Sequence, residues 1–159
     1  MKNLTIKAEI TSLKYDELSK EEKLLVDAAK EATYNSYSPY SHFCVGAAIM
    51  LENGTVVKGA NQENAAFSVT MCAERSAIFN AQSNHPQYAI TQIAIAARNS
   101  DGFISSPITP CGSCRQVILE MEYRYKREIK LYLYGNDDIY VVNTIKDILP
   151  LSFVDDSMH

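Results

Sequence analysis

The chain alternates between two hydrophobic periods. Apolar residues that recur every three or four positions predict helices, and shorter apolar or alternating runs predict strands. The helical segments are a first helix from about residue 20 to the turn at 36–40, followed by 72–81, 112–123 and 145–149. The strand segments are 43–51, 55–59, 90–98, 129–134 and 139–142. This order predicts an α/β fold with a mixed sheet of about five strands and helices on its faces.

Local signals mark where these elements begin and turn. Ser19 and Glu22 form a capping box at the start of the first helix. The dipeptide Asn53-Gly54 separates the first two strands and favours a tight hairpin turn. No repeat or linker divides the chain, so we expect a single domain over residues 1–159. Residues 1–18 precede the first helix as an N-terminal extension.

The composition fits a globular domain outside the membrane. Hydrophobic residues make up 47% and charged residues 21% of the 159 positions, which are ordinary values for such a domain. No apolar run approaches the ~18 residues of a membrane span. The first residues also lack the apolar stretch of a signal peptide. We therefore expect a cytoplasmic protein without membrane contact.

The net charge of −4 argues against a nucleic-acid partner. Asp and Glu number 19 against 15 Lys and Arg, whereas proteins that bind nucleic acids usually display a basic surface. The densest basic stretch, 124–127, is interrupted by Tyr125 and flanked by Glu122 and Glu128. A small-molecule substrate is therefore expected rather than a polymer.

Four cysteines supply the first candidate chemistry. In a cytoplasmic chain, cysteines are more often metal ligands or reactive thiols than disulfides. Cys111 and Cys114 form a C-x-x-C pair at the start of a predicted helix, where the helix dipole favours thiolates. This pair alone is ambiguous between part of a metal site and a thioredoxin-like redox dithiol. Cys44 lies in a strand pattern without an evident partner, and we interpret it as a core residue.

Cys72 and Glu74 favour a metal site over a redox dithiol. Cys72 also begins a predicted helix, and a third thiolate would complete a zinc site that leaves one coordination position open for water. A redox dithiol has no use for this third cysteine. Glu74 is placed for general base work, although an acid in the first turn of a helix is also common for electrostatic reasons. Together, C-x-E and P-C-x-x-C form the signature of zinc deaminases.

Four segments extend this match beyond the metal. They are FCVGAA at 43–48, NQENA at 61–65, CAERSA at 72–77 and PCGSCRQV at 110–117. In this order they resemble the small cytidine deaminases, specifically the homotetrameric branch with three cysteine ligands, and the resemblance covers roughly residues 37–153. It implies a three-layer α/β/α fold and a homotetramer with shared active sites.

The resemblance implies a hydrolytic deaminase with one Zn²⁺ per chain, held by Cys72, Cys111 and Cys114. Such an enzyme converts the pyrimidine nucleosides cytidine and deoxycytidine to uridine and deoxyuridine, releases ammonia and serves pyrimidine salvage. Glu74 would deprotonate the zinc-bound water, which attacks C4 of the base. The same carboxylate would then protonate N3 and the leaving amine.

The resemblance also assigns the substrate contacts. Asn61 and Glu63 would hold the ribose, with Glu63 accepting from the 3′ hydroxyl. Phe43 would lie against the base, and backbone groups around Ala73 would contact it. Phe153 resembles the C-terminal phenylalanine that reaches a neighbouring subunit's pocket. Without the resemblance, Phe43 and Phe153 would be core residues and Asn61 part of a solvated turn.

Other positions concern the surroundings of the site. Arg75 resembles the family arginine that hydrogen-bonds the ligand sulfurs and draws charge away from them, and such partners commonly change activity or affinity by ~10–100-fold. Without the resemblance, Arg75 would be interpreted as an exposed cation on a helix. Phe67 and Ser68 stand where the family more often has Tyr and Gly, which affects the expected subunit contact.

Three alternatives remain open from the sequence. The substrate could be another aminopyrimidine, such as the nucleoside antibiotic of the blasticidin deaminases. The chain could instead be a thiol–disulfide oxidoreductase that uses Cys111 and Cys114. It could also be an inactive zinc scaffold that binds a nucleoside or a partner protein.

Overall fold

The computed structural model describes residues 1–158 and contains three α-helices and seven strands there. The helices are α1 Lys20–Ala32, α2 Ala73–Asn84 and α3 Gly112–Tyr125. The strands are β1 Ile10–Leu13, β2 Cys44–Leu51, β3 Val56–Ala60, β4 Ile90–Asn99, β5 Gly102–Phe103, β6 Lys130–Tyr134 and β7 Ile139–Val142. Short 3₁₀ turns lie between these elements at Tyr15–Glu17, Thr33–Asn35 and Phe67–Val69, and two more follow β7 at Ile145–Asp147 and Asp155–Met158.

The strands form one mixed sheet in the order β1-β7-β6-β4-β2-β3, with β5 paired to β4 outside this path. The pair β4 and β6 is parallel, and the other pairs are antiparallel. The mixed sheet confirms the predicted fold class, but the predicted number of strands was too low. β1 has no buried residue and β5 has only two residues, so neither carries the hydrophobic pattern that identifies a strand.

Helices cover both faces of the sheet, which gives the expected three layers. On one face, α1 buries Leu25, Val26 and Ala29 in a cluster with alternate residues of β2 and β4. On the other face, α2 and α3 bury residues such as Ala77 and Ile118 in a second cluster. The capping box at the start of α1 is confirmed, because the Ser19 amide donates to Glu22 Oε2 at 2.8 Å and the Glu22 amide to Ser19 Oγ at 3.3 Å.

Two predicted elements differ at the ends of the chain. The expected helix at 145–149 is a single 3₁₀ turn, Ile145–Asp147, because a segment this short can show helical apolar spacing without sustaining an α-helix. Part of the N-terminal extension packs on the sheet of its own chain, because β1 pairs with β7. Lys14 Nζ adds an ion pair with Asp138 at 2.9 Å.

Gly59 lets α2 lie directly on β3. A Cβ at this position would lie 2.8 Å from both Ala73 O and Ala77 Cα, and closer still to Ala77 N. No side chain fits in that space, so the backbone of the strand touches the backbone of the helix. This contact positions the first turn of α2 beside the end of β3, where Asn61 follows.

Candidate metal centre and cavity

Three cysteine sulfurs converge where α2 and α3 begin. Cys72 and Cys111 are the N-cap residues of the two helices, and Cys114 lies in the first turn of α3. Cys72 Sγ lies 3.8 Å from Cys111 Sγ, which lies 3.4 Å from Cys114 Sγ. All three sulfurs are within 4.8 Å of one another and could hold one metal ion.

The donor set fits Zn²⁺. Tetrahedral coordination with Zn–S bonds of about 2.3 Å places ligand sulfurs about 3.8 Å apart. The observed separations of 3.8 and 3.4 Å are close to this value. The side chains of Cys72 and Cys111 make no capping hydrogen bonds to their own helices, so both sulfurs remain available as ligands. Three ligands from the protein would leave one tetrahedral position open.

Arg75 contributes positive charge to this cluster. Its Nη2 lies 3.6 Å from Cys72 Sγ. The pKa of the Cys72 thiol is lowered, because Cys114 and Arg75 both donate hydrogen bonds to its sulfur. The pKa of Cys114 is raised, because its thiol donates to Cys72 and is buried. Bound to a metal, coordinating thiols are deprotonated outright, and the guanidinium would then offset part of their charge.

Glu74 is the buried acid beside the sulfurs. It lies in the first turn of α2, and only 5% of its surface is exposed. Burial raises the pKa of its carboxyl group, and the negative charge on Cys72 acts in the same direction. A carboxyl group in this environment holds a proton more readily than one in water, which suits a group that exchanges protons with a ligand.

A cavity of about 180 Å³ is lined by Glu74 together with Cys72 and Cys111. Its lining residues are Val45, Asn61, Glu63, Thr70, Met71, Cys72, Ala73, Glu74, Ile108, Thr109 and Cys111. Two carboxylates and no Lys or Arg are among them. A larger cavity of about 480 Å³ at the C-terminal end of α3 contains none of these residues.

The cavity brings together most, but not all, of the residues that the sequence assigned to the substrate. Asn61, Glu63 and Ala73 line it. Phe43 and Phe153 do not line it, and the Phe153 side chain is 60% exposed. Within residues 1–158, these two rings are therefore not part of the cavity of their own chain. The predicted contacts of Phe43 with the base and of Phe153 with a neighbouring subunit stay predictions.

Asn61 has little hydrogen-bonding capacity left for a ligand. Its Oδ1 accepts from the Val45 amide at 2.8 Å and from Ser36 Oγ at 2.5 Å. Its Nδ2 donates to the Phe43 carbonyl oxygen at 2.9 Å. Because an amide nitrogen carries two hydrogens, one N–H remains. Towards the cavity, Asn61 can therefore act only as a donor.

Glu63 is held by the turn that precedes β2. Its carboxylate accepts from the Tyr40 amide at 2.9 Å, the Ser41 amide at 3.3 Å and Ser41 Oγ at 2.5 Å. The hydrogen bond from Ser41 lowers the pKa of Glu63, and the two amides add to this effect. The group is thus an ionised acceptor next to the Asn61 donor. Asn61 and Glu63 can together bind one hydroxyl group, which both accepts and donates.

Sequence reasoning missed part of the cavity. Val45, Thr70, Met71, Ile108 and Thr109 line it but were assigned no role. Val45 follows Phe43 by two residues, and Thr70 and Met71 directly precede Cys72, so proximity to the motifs could have indicated them. Ile108 and Thr109 lie in a loop without a regular pattern, and only the fold brings them to the cavity.

Fold and site together define a class of protein, the α/β enzymes with a three-thiolate zinc site, an open coordination position and an adjacent acid. A family model for the cytidine and deoxycytidylate deaminase zinc-binding region matches residues 19–127. The chain belongs to this deaminase family, a family of hydrolases, and carries its zinc-binding region.

Individual relatives agree with this assignment. A cytidine deaminase from Halalkalibacterium halodurans is 38% identical over 139 residues, which cover 86% of this chain and 97% of the relative. The crystal structure of a cytidine deaminase from Burkholderia pseudomallei is similar, with 36% identity and a TM-score of 0.70, over 82% of this chain and 97% of that one. A blasticidin-S deaminase from Bacillus cereus is 30% identical over 138 residues, 86% of this chain and 94% of that protein.

The helices do not include a membrane span. None of those in the described part of the chain is long and apolar enough to cross a bilayer.

Proposed function

We propose that the chain catalyses the hydrolytic deamination of cytidine and deoxycytidine to uridine and deoxyuridine, a reaction of pyrimidine salvage. The supporting observation is that Glu74 shares one cavity with Cys72 and Cys111, whose sulfurs converge with that of Cys114. Cys72, Cys111 and Cys114 would hold one Zn²⁺ per chain. Bound there, zinc would supply Lewis acidity that makes water more acidic at the open position.

Glu74 would carry the protons of the reaction. In the balanced step, water adds to C4 of the pyrimidine, a C–O bond forms, and the C4–N bond to the exocyclic amine breaks. Glu74 would accept a proton from the attacking water and pass it to N3. It would then accept the proton of the new C4 hydroxyl, which becomes the carbonyl, and deliver it to the departing amine, which leaves as ammonia. Burial of Glu74 supports this role, because it stabilises the protonated carboxyl group between these transfers.

The cavity favours a nucleoside over a nucleotide. Glu63 and Glu74 contribute carboxylates, and no lining residue is a cation. A phosphate would therefore meet repulsion without a compensating partner. A sugar hydroxyl, in contrast, could donate to Glu63 and accept from the remaining N–H of Asn61. Backbone groups at Ala73 would contact the base, and Arg75 would moderate the charge of the thiolates.

We also propose that the active form is a homotetramer with shared sites. Large apolar side chains are exposed close in sequence to the cavity residues, including Phe67 at 72% and Val69 at 61%. The Phe67 ring makes an edge contact with Tyr40, with ring centroids 5.8 Å apart. An exposed patch of this kind is typical of an interface. Phe153, which lies outside the cavity of its own chain, would reach the site of a neighbouring subunit, and Phe43 would lie against the base.

One assay tests the catalytic proposal. Ammonia release is measured with cytidine, deoxycytidine, deoxycytidylate and blasticidin S, and zinc is quantified in the same sample. We expect turnover of both nucleosides, little with deoxycytidylate, and about one zinc per chain. The blasticidin-S deaminase relative makes the antibiotic the second candidate substrate, and activity on the antibiotic alone would replace our proposal with that one.

The same measurement separates the remaining alternatives. A protein that lacks zinc and shows a reversible Cys111–Cys114 disulfide would be an oxidoreductase. A protein with full zinc and no turnover on any substrate would be a binding scaffold. For the assembly, light scattering under assay conditions should give four chains, and a fully active monomer would contradict the tetramer.

A further inference from the structure

One wall of the cavity receives its hydrogen bonds from a single side chain. Ile108 and Thr109 form this wall in a segment without helix or strand. Arg115 Nε donates to the Pro110 carbonyl oxygen at 2.8 Å, and Arg115 Nη2 lies 3.4 Å from Thr109 Oγ1. Within residues 1–158, segment 107–110 makes no other hydrogen bond.

The preceding part of the loop is fixed by backbone hydrogen bonds, from the Asn136 amide to Ile104 O at 2.9 Å and from the Asp137 amide to Ser105 O at 3.0 Å, and by packing. A Cβ on Gly135 would lie 2.6 Å from both Ser106 C and Pro107 N, and closer still to Ser105 O. The loop is thus pressed against the backbone at Gly135 up to residue 107. Beyond residue 107, the Arg115 side chain makes the polar contacts that hold the wall as far as Cys111.

The same guanidinium also holds the C-terminal segment. Arg115 Nη1 donates to the Ile148 carbonyl oxygen at 2.6 Å. The next residue, Gln116, donates from Nε2 to the Phe153 carbonyl oxygen at 2.9 Å. Two adjacent side chains in the first half of α3 therefore fasten segment 148–153. Within segment 148–153, Leu151 has a positive φ of 55°, a conformation that a non-glycine residue adopts only when its surroundings require it.

We infer that Arg115 is a positioning residue that sets the cavity wall and the C-terminal segment together. This inference deepens the proposed function, because it concerns the fit of the substrate in the same cavity. A guanidinium is planar and presents donors in a fixed fork, so it can bond the Pro110 and Ile148 carbonyls simultaneously. The ammonium of a lysine is a single point and cannot bridge both carbonyls with the same geometry.

Crystal structures of the zinc-loaded protein test the inference without any assay of activity. In Arg115→Lys, we expect residues 108–110 and segment 148–153 to be displaced together. In the matched control Gln116→Ala, we expect displacement of the C-terminal segment alone. Zinc content should stay at the wild-type value in both variants, and Arg115→Met provides a second variant without the charge. Unchanged positions of residues 108–110 in the Arg115 variants, or loss of zinc from Arg115→Lys, would overturn the inference.

Kinetics supply the second readout. A displaced wall should weaken substrate binding, so we expect Arg115→Lys to lower kcat/KM by ~10-fold, mostly through a higher KM. Gln116→Ala should change KM less than Arg115→Lys does. An equal effect of the two variants, or a loss confined to kcat, would contradict a role in positioning the wall. If the wild type does not deaminate nucleosides at all, the proposed function fails, while the variant crystal structures still decide the role of Arg115.

Discussion

Gly59→Ala should disturb stability and catalysis together, because it forces apart the backbones of β3 and α2. The added methyl group would lie 2.8 Å from Ala73 O and Ala77 Cα, whereas favourable carbon contacts begin at about 3.5 Å. Because Ala77 N lies closer still, one element must move by more than roughly 0.7 Å. Overpacking of this kind typically costs ~1–3 kcal/mol of unfolding free energy. Because α2 carries Cys72 and Glu74, the same shift should reduce kcat/KM by up to ~100-fold.

Urea denaturation of the zinc-loaded protein measures the first effect, and steady-state deamination of cytidine measures the second. Gly112→Ala is the matched control for stability, since a Cβ there meets no heavy atom within 4 Å. Its unfolding free energy should stay within ~0.5 kcal/mol of the wild type. If Gly59→Ala is equally stable and active, the two backbones can separate at no cost, and the reasoning is refuted.

Three further variants test the site and the fold. Glu74→Gln should retain zinc and lose ~10²–10⁴-fold in kcat, and near-normal turnover would remove Glu74 from the mechanism. Cys111→Ala should lose zinc and melt at a lower temperature, because metal binding is coupled to folding, whereas Cys44→Ala should keep its zinc. Burial opposes ionisation of Glu22, but hydrogen bonds from Tyr132, Ser19 and Lys130 outweigh it and lower its pKa to about 2. Since the folded pKa lies below the unfolded value, Glu22→Gln should be less stable at pH 7 by at most about 3 kcal/mol, and this difference should shrink as the pH falls below about 4.5.

The helices and long strands could be predicted because their burial follows a period. α1 turns Leu25, Val26 and Ala29 towards the sheet, and its capping box marks its first residue. β4 is buried over most of its length, as expected of a strand covered on both faces. β1 and β5 form for a different reason: they are brought to partners that lie far along the chain or across a tight turn. Such pairing leaves no trace in the local pattern.

The candidate site likewise has a part that the sequence could predict and a part that it could not. The cysteines and Glu74 lie at the starts of helices, where the short motifs C-x-E and C-x-x-C place them on one side, so their convergence could be predicted. Ile108, Thr109 and Arg115 come together through a loop with no period and could not be predicted. Phe43 was assigned by resemblance to the base and Phe153 to the pocket of a neighbouring subunit, and neither residue lines the cavity of its own chain.

The pairing of β1 with β7 also has a consequence for solubility. The family match begins at residue 19, and β1 lies before it, along the full length of β7 from Ile139 to Val142. Without β1, the amides and carbonyls of β7 would form an open sheet border able to recruit strands from other molecules. β1 replaces that border with a four-residue strand in which Thr11 and Ser12 are polar. We therefore expect removal of residues 1–13 to expose β7 and to increase aggregation.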